Sequence, residues 1–198
     1  MARRRRLPRS FYARDPRVVA PELLGALVVH GDRAVRLVEV EAYCGRDDPG
    51  SHAYRGPTPR TEVMFGPAGH LYVYFSYGMH WCANVVCGPV GEAGAVLVRG
   101  AEPVSGLDAI RQARPRARTD RDLTAGPARI CQALGLNGSH DGLDLVTVEH
   151  GVTVATDGWT PSVAPATSPR IGLSPQRGAD RPWRWYLPGH PYVSGRPR

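Results

Sequence analysis

Two kinds of apolar spacing divide the chain. Between Ala26 and Ala101 the apolar residues alternate or run in short blocks, the spacing of strands. Ala26–His30 and Ala34–Tyr43 flank Gly31-Asp32-Arg33, a pattern that predicts a hairpin. His70–Ser76 alternates and predicts another strand, turned at Tyr77-Gly78-Met79-His80 and returned by Trp81–Cys87. Ala93–Ala101 predicts a third, so these strands form an antiparallel meander. Outside this region the spacing is helical. Asp15-Pro16 is an N-cap followed by proline in the first turn, opening a helix to Leu24 that Gly25 ends. Pro21 predicts a kink or restart within it. A second helix is expected over Ser105–Ala113. A third covers Leu123–Leu134, interrupted at Gly126-Pro127 and ended at Gly135. Leu143–Val154 is strand-like and broken by Glu149-His150-Gly151. After a Pro/Ser/Thr loop over Thr156–Pro169, Arg170–Leu173 and Arg184–Leu187 read as short closing strands. The pattern is that of one mixed α/β (α+β) domain, with no repeat and no internal boundary.

Composition adjusts this picture in three ways. The 198 residues include 23 Gly and 19 Pro, which favours many turns and short elements. The net charge is +7, which favours a polyanionic partner. All 25 basic residues are arginine, as a GC-rich coding bias would also produce; either way, no lysine is present to form a Schiff base. Five of the arginines fall in Met1–Ser10, read as a disordered basic arm ahead of a domain over 11–198. The four cysteines form no CxxC pair, so a zinc or iron–sulfur site is not expected. Free thiols, the lack of an 18-residue apolar run and the lack of a secretory h-region lead to the expectation of a cytoplasmic protein with no membrane partner.

Candidate chemistry concentrates between Val38 and His80. Glu39 and Glu41 are two apart on one strand, hence on one face. Tyr43, Tyr72, Tyr74 and Tyr77 lie nearby in sequence, and the long Cys44–Arg60 loop carries His52 and Arg55. Carboxylates beside aromatic faces suit a flat, electron-poor ligand and acid–base chemistry. The residues alone leave two readings of Glu41: a general base that activates water, or the partner of a buried arginine such as Arg36 or Arg99. Tyrosine is at home in strands. Tyr77, beside Gly78 at a hairpin tip, gains little burial there and is a candidate wedge for insertion into a partner.

Five motifs then narrow the field. They are Val38-Glu39-Val40-Glu41-Ala42-Tyr43, Leu71-Tyr72-Val73-Tyr74-Phe75-Ser76-Tyr77-Gly78-Met79, Val98-Arg99-Gly100-Ala101-Glu102-Pro103, Gly126-Pro127-Ala128-Arg129-Ile130-Cys131-Gln132-Ala133-Leu134, and Arg184-Trp185-Tyr186-Leu187. Together and in this order they resemble the alkyladenine (3-methyladenine) DNA glycosylase family, from about Phe11 to Ser194. The resemblance implies a single domain around a curved antiparallel sheet with peripheral helices and a protruding hairpin. It implies Glu41 as general base for the attacking water, and Tyr43, His52 and Tyr74 around a flipped base. It further implies Asn84 against the exocyclic amino group of normal guanine, Arg99 near the target nucleotide's backbone and Tyr77 as the intercalating wedge. Glu39 matches a motif but is read as structural. The implied partner is double-stranded DNA with alkylated or deaminated purines, bound without metal or other cofactor; a monomer is expected, which the resemblance does not decide. His80-Trp81 lies just past the wedge, where members of the family vary in aromatic type. Rival classes are a noncatalytic nucleic-acid-binding module and an RNA-binding protein; Glu41 argues against the first, because binding a polyanion gains nothing from a pocket carboxylate, and release of free base from damaged duplex separates all three.

Overall fold

The computed structural model describes residues 4–147 and 151–195. Met1–Arg3 of the expected arm, and Glu149-His150 of the expected strand break, lie outside them.

The start of the described chain is not free. β1 (Arg5–Arg6) pairs antiparallel with β7 (Val152–Thr156), and a turn of helix, α1 (Arg9–Tyr12), follows. Leu7 N–H donates to Val154 O, while Arg9 reaches Asp144 at 2.6 Å and Ala68 O at 2.7 Å. The expectation of a disordered arm therefore fails over residues 4–10: backbone pairing to a strand edge orders a segment with no apolar pattern. Helix α2 (Pro16–Leu23) begins as its sequence requires, with the Asp15 carboxylate accepting from Arg17 N–H at 2.7 Å. Pro21 lies inside it without ending it.

β2 (Leu27–His30) and β3 (Arg33–Tyr43) form the expected hairpin. β4 (Leu71–Ser76), β5 (His80–Val86) and β6 (Ala95–Ser105) form the meander, and all pairings are antiparallel. The sheet order is β1-β7-β2-β3-β6-β5-β4, and β8 (Ala166–Ser168) and β9 (Arg184–Tyr186) join it by β9 pairing on β3. It is a curled, half-barrel antiparallel sheet with a few helices: α3 (Leu107–Ala113), α4 (Asp120–Thr124) and α5 (Pro127–Leu134) besides α1 and α2. Two expected strands do not form. Leu143–Thr147 makes only a bridge, from Asp144 to His70, and Arg170–Leu173 is irregular chain; the strand in that region is β8.

The core lies between the sheet and helices α2, α3 and α5, where Leu23, Val40, Val98, Ile110, Ile130 and Leu134 are buried. Each such aliphatic side chain contributes about 1.5–3 kcal/mol on burial. A smaller cluster on the other side joins Ala53, Met64, Tyr72, Val86 and Ala95. It packs the long loop after β3 down onto β4 and β6, and so builds the wall of the cavity described next.

Candidate active site

Strand β3 carries Glu39 and Glu41, and both carboxylates are completely buried. The pairing of β3 with β6 is irregular where they sit. Leu37 faces Ala101, Glu39 faces Gly100, and Val40 faces Val98, so Val38 and then Arg99 are each an unpartnered extra residue. Bulges re-aim side chains. Here the Arg99 guanidinium is turned onto both carboxylates, with Nε 3.2 Å from Glu39 Oε1 and 3.4 Å from Glu41 Oε1. Gly100 is required opposite: a Cβ there would stand 2.7 Å from Tyr192 O and 2.8 Å from Glu39 Oε2.

The two carboxylates differ in their other partners. Glu39 accepts from Arg184 Nε at 2.6 Å, from Ser194 N–H at 2.5 Å and from the Ser194 hydroxyl at 3.0 Å. Glu41 accepts from the Ile171 N–H at 2.8 Å and the Tyr43 hydroxyl at 2.9 Å, with Arg99 Nη1 at 3.5 Å. Burial raises the Glu41 pKa above the usual carboxylate range, and the opposing pull of Arg99 and the two neutral donors does not cancel it.

Above Glu41 lies a cavity of about 600 Å³. Tyr43, His52, Tyr74, Tyr77, Asn84 and Arg99, the six residues that the sequence places around a bound base or its strand, all line it. Glu41 itself is beneath the floor, reached through Tyr43, Arg99 and Ile171. Tyr72 and Tyr74, two apart on β4, share a face and stack at 5.5 Å with 29° between planes. His52 meets Tyr74 edge-on at 4.5 Å, and its Nδ1 is 3.2 Å from the Tyr72 hydroxyl. Burial, aided by Arg60 and Arg177, lowers the His52 pKa to about 4, so this ring is neutral at physiological pH. Burial pushes the Tyr72 phenol up to about 12 and raises those of Tyr43 and Tyr74 well above the ordinary phenol value, so all three keep their protons. Asn84 is buried on β5 and donates to Tyr72 O at 3.1 Å. The result is a slot walled by neutral aromatic rings, with polar groups and arginines at its edges, fit for a flat heterocycle. A second cavity of about 570 Å³, between Phe11, Leu24 and Trp159, offers Glu22 as its one titratable lining residue and no comparable chemistry.

The β4–β5 hairpin ends at the cavity rim. Tyr77 and Gly78 have φ of +50° and +63°, and Met79 N–H donates to Ser76 O at 3.0 Å. Positive φ at both central residues is the demand of a type I′ turn. Among the described residues Tyr77 is the one non-glycine with positive φ, and it is 87% exposed. A bulky residue held in this conformation costs about 1–2 kcal/mol. A large exposed ring kept there, beside exposed Met79 and Phe75, is a surface without an internal partner.

Sequence reasoning missed the opposite wall. Arg60, Met64, Pro127, Ile171, Leu173 and Arg177 also line the cavity. The Arg60 guanidinium lies 5.3 Å from the Tyr74 ring. Ile171 follows Arg170, whose side chain is fully buried against Asp48. A fully buried arginine needs a paired carboxylate far off in sequence, and no local pattern announces which one.

Residues 10–191 match the methylpurine-DNA glycosylase family model. A protein of Burkholderia lata is 53% identical over 190 residues, covering 96% of this chain and 91% of its own length. One of Frankia casuarinae is 50% identical over 195 residues, covering 94% of this chain and 91% of its own length. One of Cutibacterium acnes is 48% identical over 182 residues, covering 89% of this chain and 93% of its own length. All three are provisionally named as 3-methyladenine DNA glycosylases. With a match that runs through every strand of the cavity and its hairpin, the chain belongs to the methylpurine-DNA glycosylase family.

Proposed function

We propose that this chain is a monofunctional DNA glycosylase of base excision repair. It binds duplex DNA as a monomer, extrudes an alkylated or deaminated purine into the cavity under Tyr43, His52 and Tyr74, and hydrolyses its glycosidic bond. The four free thiols suit the reducing cytoplasm, where the enzyme would work on chromosomal DNA. A base within the stack is out of reach, so the target must be flipped out. Tyr77 would fill the vacated space, and Asn84 at the slot's edge would crowd the exocyclic amino group of guanine.

In the reaction a water oxygen attacks C1′ as the C1′–N9 bond breaks, and the bonding electron pair leaves with the base. Positive charge builds on the sugar, as in other glycoside hydrolyses. Glu41 would accept the water's proton and stabilise that charge, with Arg99 near the nucleotide's backbone. An N-alkylated purine leaves readily and, as a cation, is attracted to tyrosine faces by about 0.5–2 kcal/mol. With no lysine in the chain, strand cleavage through a lysine Schiff base has no nucleophile.

The observation that carries this reading is the buried Glu41, held by two neutral donors and by an arginine that it shares with Glu39, directly under an aromatic slot. A noncatalytic DNA-binding module has no use for a carboxylate there. The test is release of free base under single-turnover conditions from duplexes carrying hypoxanthine or an alkylated purine. Release by the wild-type chain without strand cleavage is expected; intact lesions on every substrate, despite tight binding, would leave only the binding module.

A further inference from the structure

Arg170 and Asp48 form a completely buried ion pair that touches none of the cavity's open volume. The contact is bidentate, with Nη1 to Asp48 Oδ2 at 2.5 Å and Nη2 to Oδ1 at 2.7 Å. Its other contacts are what give it meaning. Arg170 Nη1 also donates to Ala42 O at 2.9 Å, at the end of β3 between Glu41 and Tyr43. The guanidinium carbon lies over two rings, 4.6 Å from the Tyr43 centroid and 5.2 Å from that of Trp183. The Asp48 carboxylate in turn accepts from Cys44 N–H at 3.2 Å and Gly50 N–H at 3.0 Å, shaping the loop that leads to His52. Gly50 is packed so close that a Cβ would stand 2.8 Å from both Arg170 Nη2 and Leu173 Cδ1. One buried pair thus joins three separate segments: the end of β3, residues 44–50 and residues 170–173.

We infer that the Asp48–Arg170 pair is a positioning device for base release, holding the Tyr43 ring and the Ile171 N–H where together they orient the Glu41 carboxylate. Each Glu41 oxygen is fixed by one of these donors, Oε1 by Ile171 and Oε2 by Tyr43. The residue next to Ile171 is Arg170, and the ring that carries the other donor is the one Arg170 stacks on. The Ile171 N–H has no strand to anchor it, because residues 170–173 make none, and the Tyr43 ring, at the last residue of β3, has the Arg170 guanidinium over it. A simple structural bracket could have closed on the Ala42 carbonyl alone. The inference rests on the glycosylase reading above.

The pair also acts on the acid limb of the reaction. The groups facing Glu41 are Arg99 from β6, Glu39 and Tyr43 from its own strand, Tyr74 from β4, and Arg170 beside Ile171; Arg184 on β9 faces Glu39. Burial raises the Glu41 pKa, whereas the Ile171 and Tyr43 donors lower it. Loosening both donors raises it further, so the pH at which base release reaches half its maximum moves up.

Removing either side chain outright strands the other charge in the interior and can unfold the chain. The test therefore uses Arg170→Lys, which keeps the charge but cannot bridge in two places, and Asp48→Glu, which keeps the charge but displaces the carboxylate by one methylene. Single-turnover release from a hypoxanthine duplex is measured across pH beside lesion binding and thermal unfolding. Both variants should bind the lesion within about 3-fold of wild type but release base about 10–100-fold more slowly, the order expected for an ångström-scale misplacement. Their half-maximal pH should lie above that of wild type. Normal rates, or a loss that tracks the unfolded fraction with an unshifted pH profile, would overturn the inference. Hydrogen exchange of the wild-type Ile171 amide is a second measurement that needs no variant: protection well beyond that of an open loop is expected, and free exchange would overturn it. If wild type releases no base in this assay, the glycosylase reading has failed instead, and that outcome is separate because the exchange result does not depend on it.

Discussion

Glu39 and Glu41 are a controlled comparison made by the fold. They lie two residues apart on one strand, are equally buried, and share one arginine. Glu39 is nevertheless held by a second arginine at 2.6 Å and by two donors from Ser194, so its lone pairs are taken by close, charged or rigid partners. Glu41 has a backbone N–H, a phenol and a cation no nearer than 3.4 Å. A carboxylate saturated by short ionic contacts is a structural part, because displacing any partner leaves a buried charge. One satisfied mainly by neutral donors stays basic enough to take a proton. Sequence alone offered the same residue type at the same spacing; the difference lies in what distant segments bring to each.

The largest test of this contrast is kinetic. Glu41→Gln should fold, bind lesions and lose about 10²–10⁴-fold in single-turnover base release, the usual worth of a positioned base. Near-normal release would make the two carboxylates equivalent. Next in size is the reciprocal change. Glu39→Gln leaves Arg184 without its anion, and breaking a buried pair costs about 3–5 kcal/mol; chemical denaturation should register it, with the folded fraction still active. If Glu39→Gln instead abolishes release without destabilising the fold, Glu39 belongs to the chemistry.

A smaller effect is expected where neither carboxylate is touched. Tyr77→Gly should weaken lesion binding by roughly 10-fold or more, since aromatic–base stacking is worth about 1–3 kcal/mol. Its stability should hardly move. Relief of the left-handed backbone, about 1–2 kcal/mol, is offset by the greater unfolded-state freedom of glycine, about 0.5–1 kcal/mol. A large drop in melting temperature would mark Tyr77 as a core residue.

The smallest effect has the most telling sign. The folded-state pKa of Glu41 is raised above the ordinary 4.5, so its contribution to stability is complete below that value and is lost as pH rises through the folded-state pKa. Glu41→Gln does not suffer that loss. Its melting temperature should therefore gain on wild type as pH is raised from 4 toward neutrality. A variant that falls progressively behind wild type over the same window would make Glu41 another salt-bridge residue. The catalytic limb runs the other way: release needs ionised Glu41 and so increases with pH through the same transition.

Much of this was legible in the sequence because it is local. Alternation placed β4 and β5, and Tyr77-Gly78 marked the turn between them. The resemblance implied Tyr43, His52, Tyr74, Asn84 and Arg99 at a bound nucleotide, and all five line one cavity. What was not legible depends on distant pairing. Arg170-Ile171-Gly172-Leu173 has strand-like residues, but Arg170 is drawn inside by Asp48, and the Ile171 N–H goes to Glu41 rather than to a ladder. Arg5-Arg6 carries no apolar signal at all, and it is ordered by main-chain bonds to an edge that its side chains do not specify. Burial of both faces of β3 likewise hid the bulges, since alternation gives no cue where every position is apolar or paired.

Those bulges set a rule for insertions and deletions. Val38 is the extra residue on one strand and Arg99 the extra residue on the other, and beyond them the original pairing resumes, with Val40 opposite Val98 and Glu41 opposite Leu97. Losing Val38 alone would shift the rest of β3 by one position, and a one-residue slip sends every following side chain to the other face. Glu41 would then point away from the cavity. Losing Arg99 alone would do the same to the facing strand. Losing both would restore a flat ladder in correct register, with the aromatic slot intact and no cation between the carboxylates. Chain length at this point can therefore change only in matched pairs, and the one neutral change of length removes the arginine that the irregularity exists to aim.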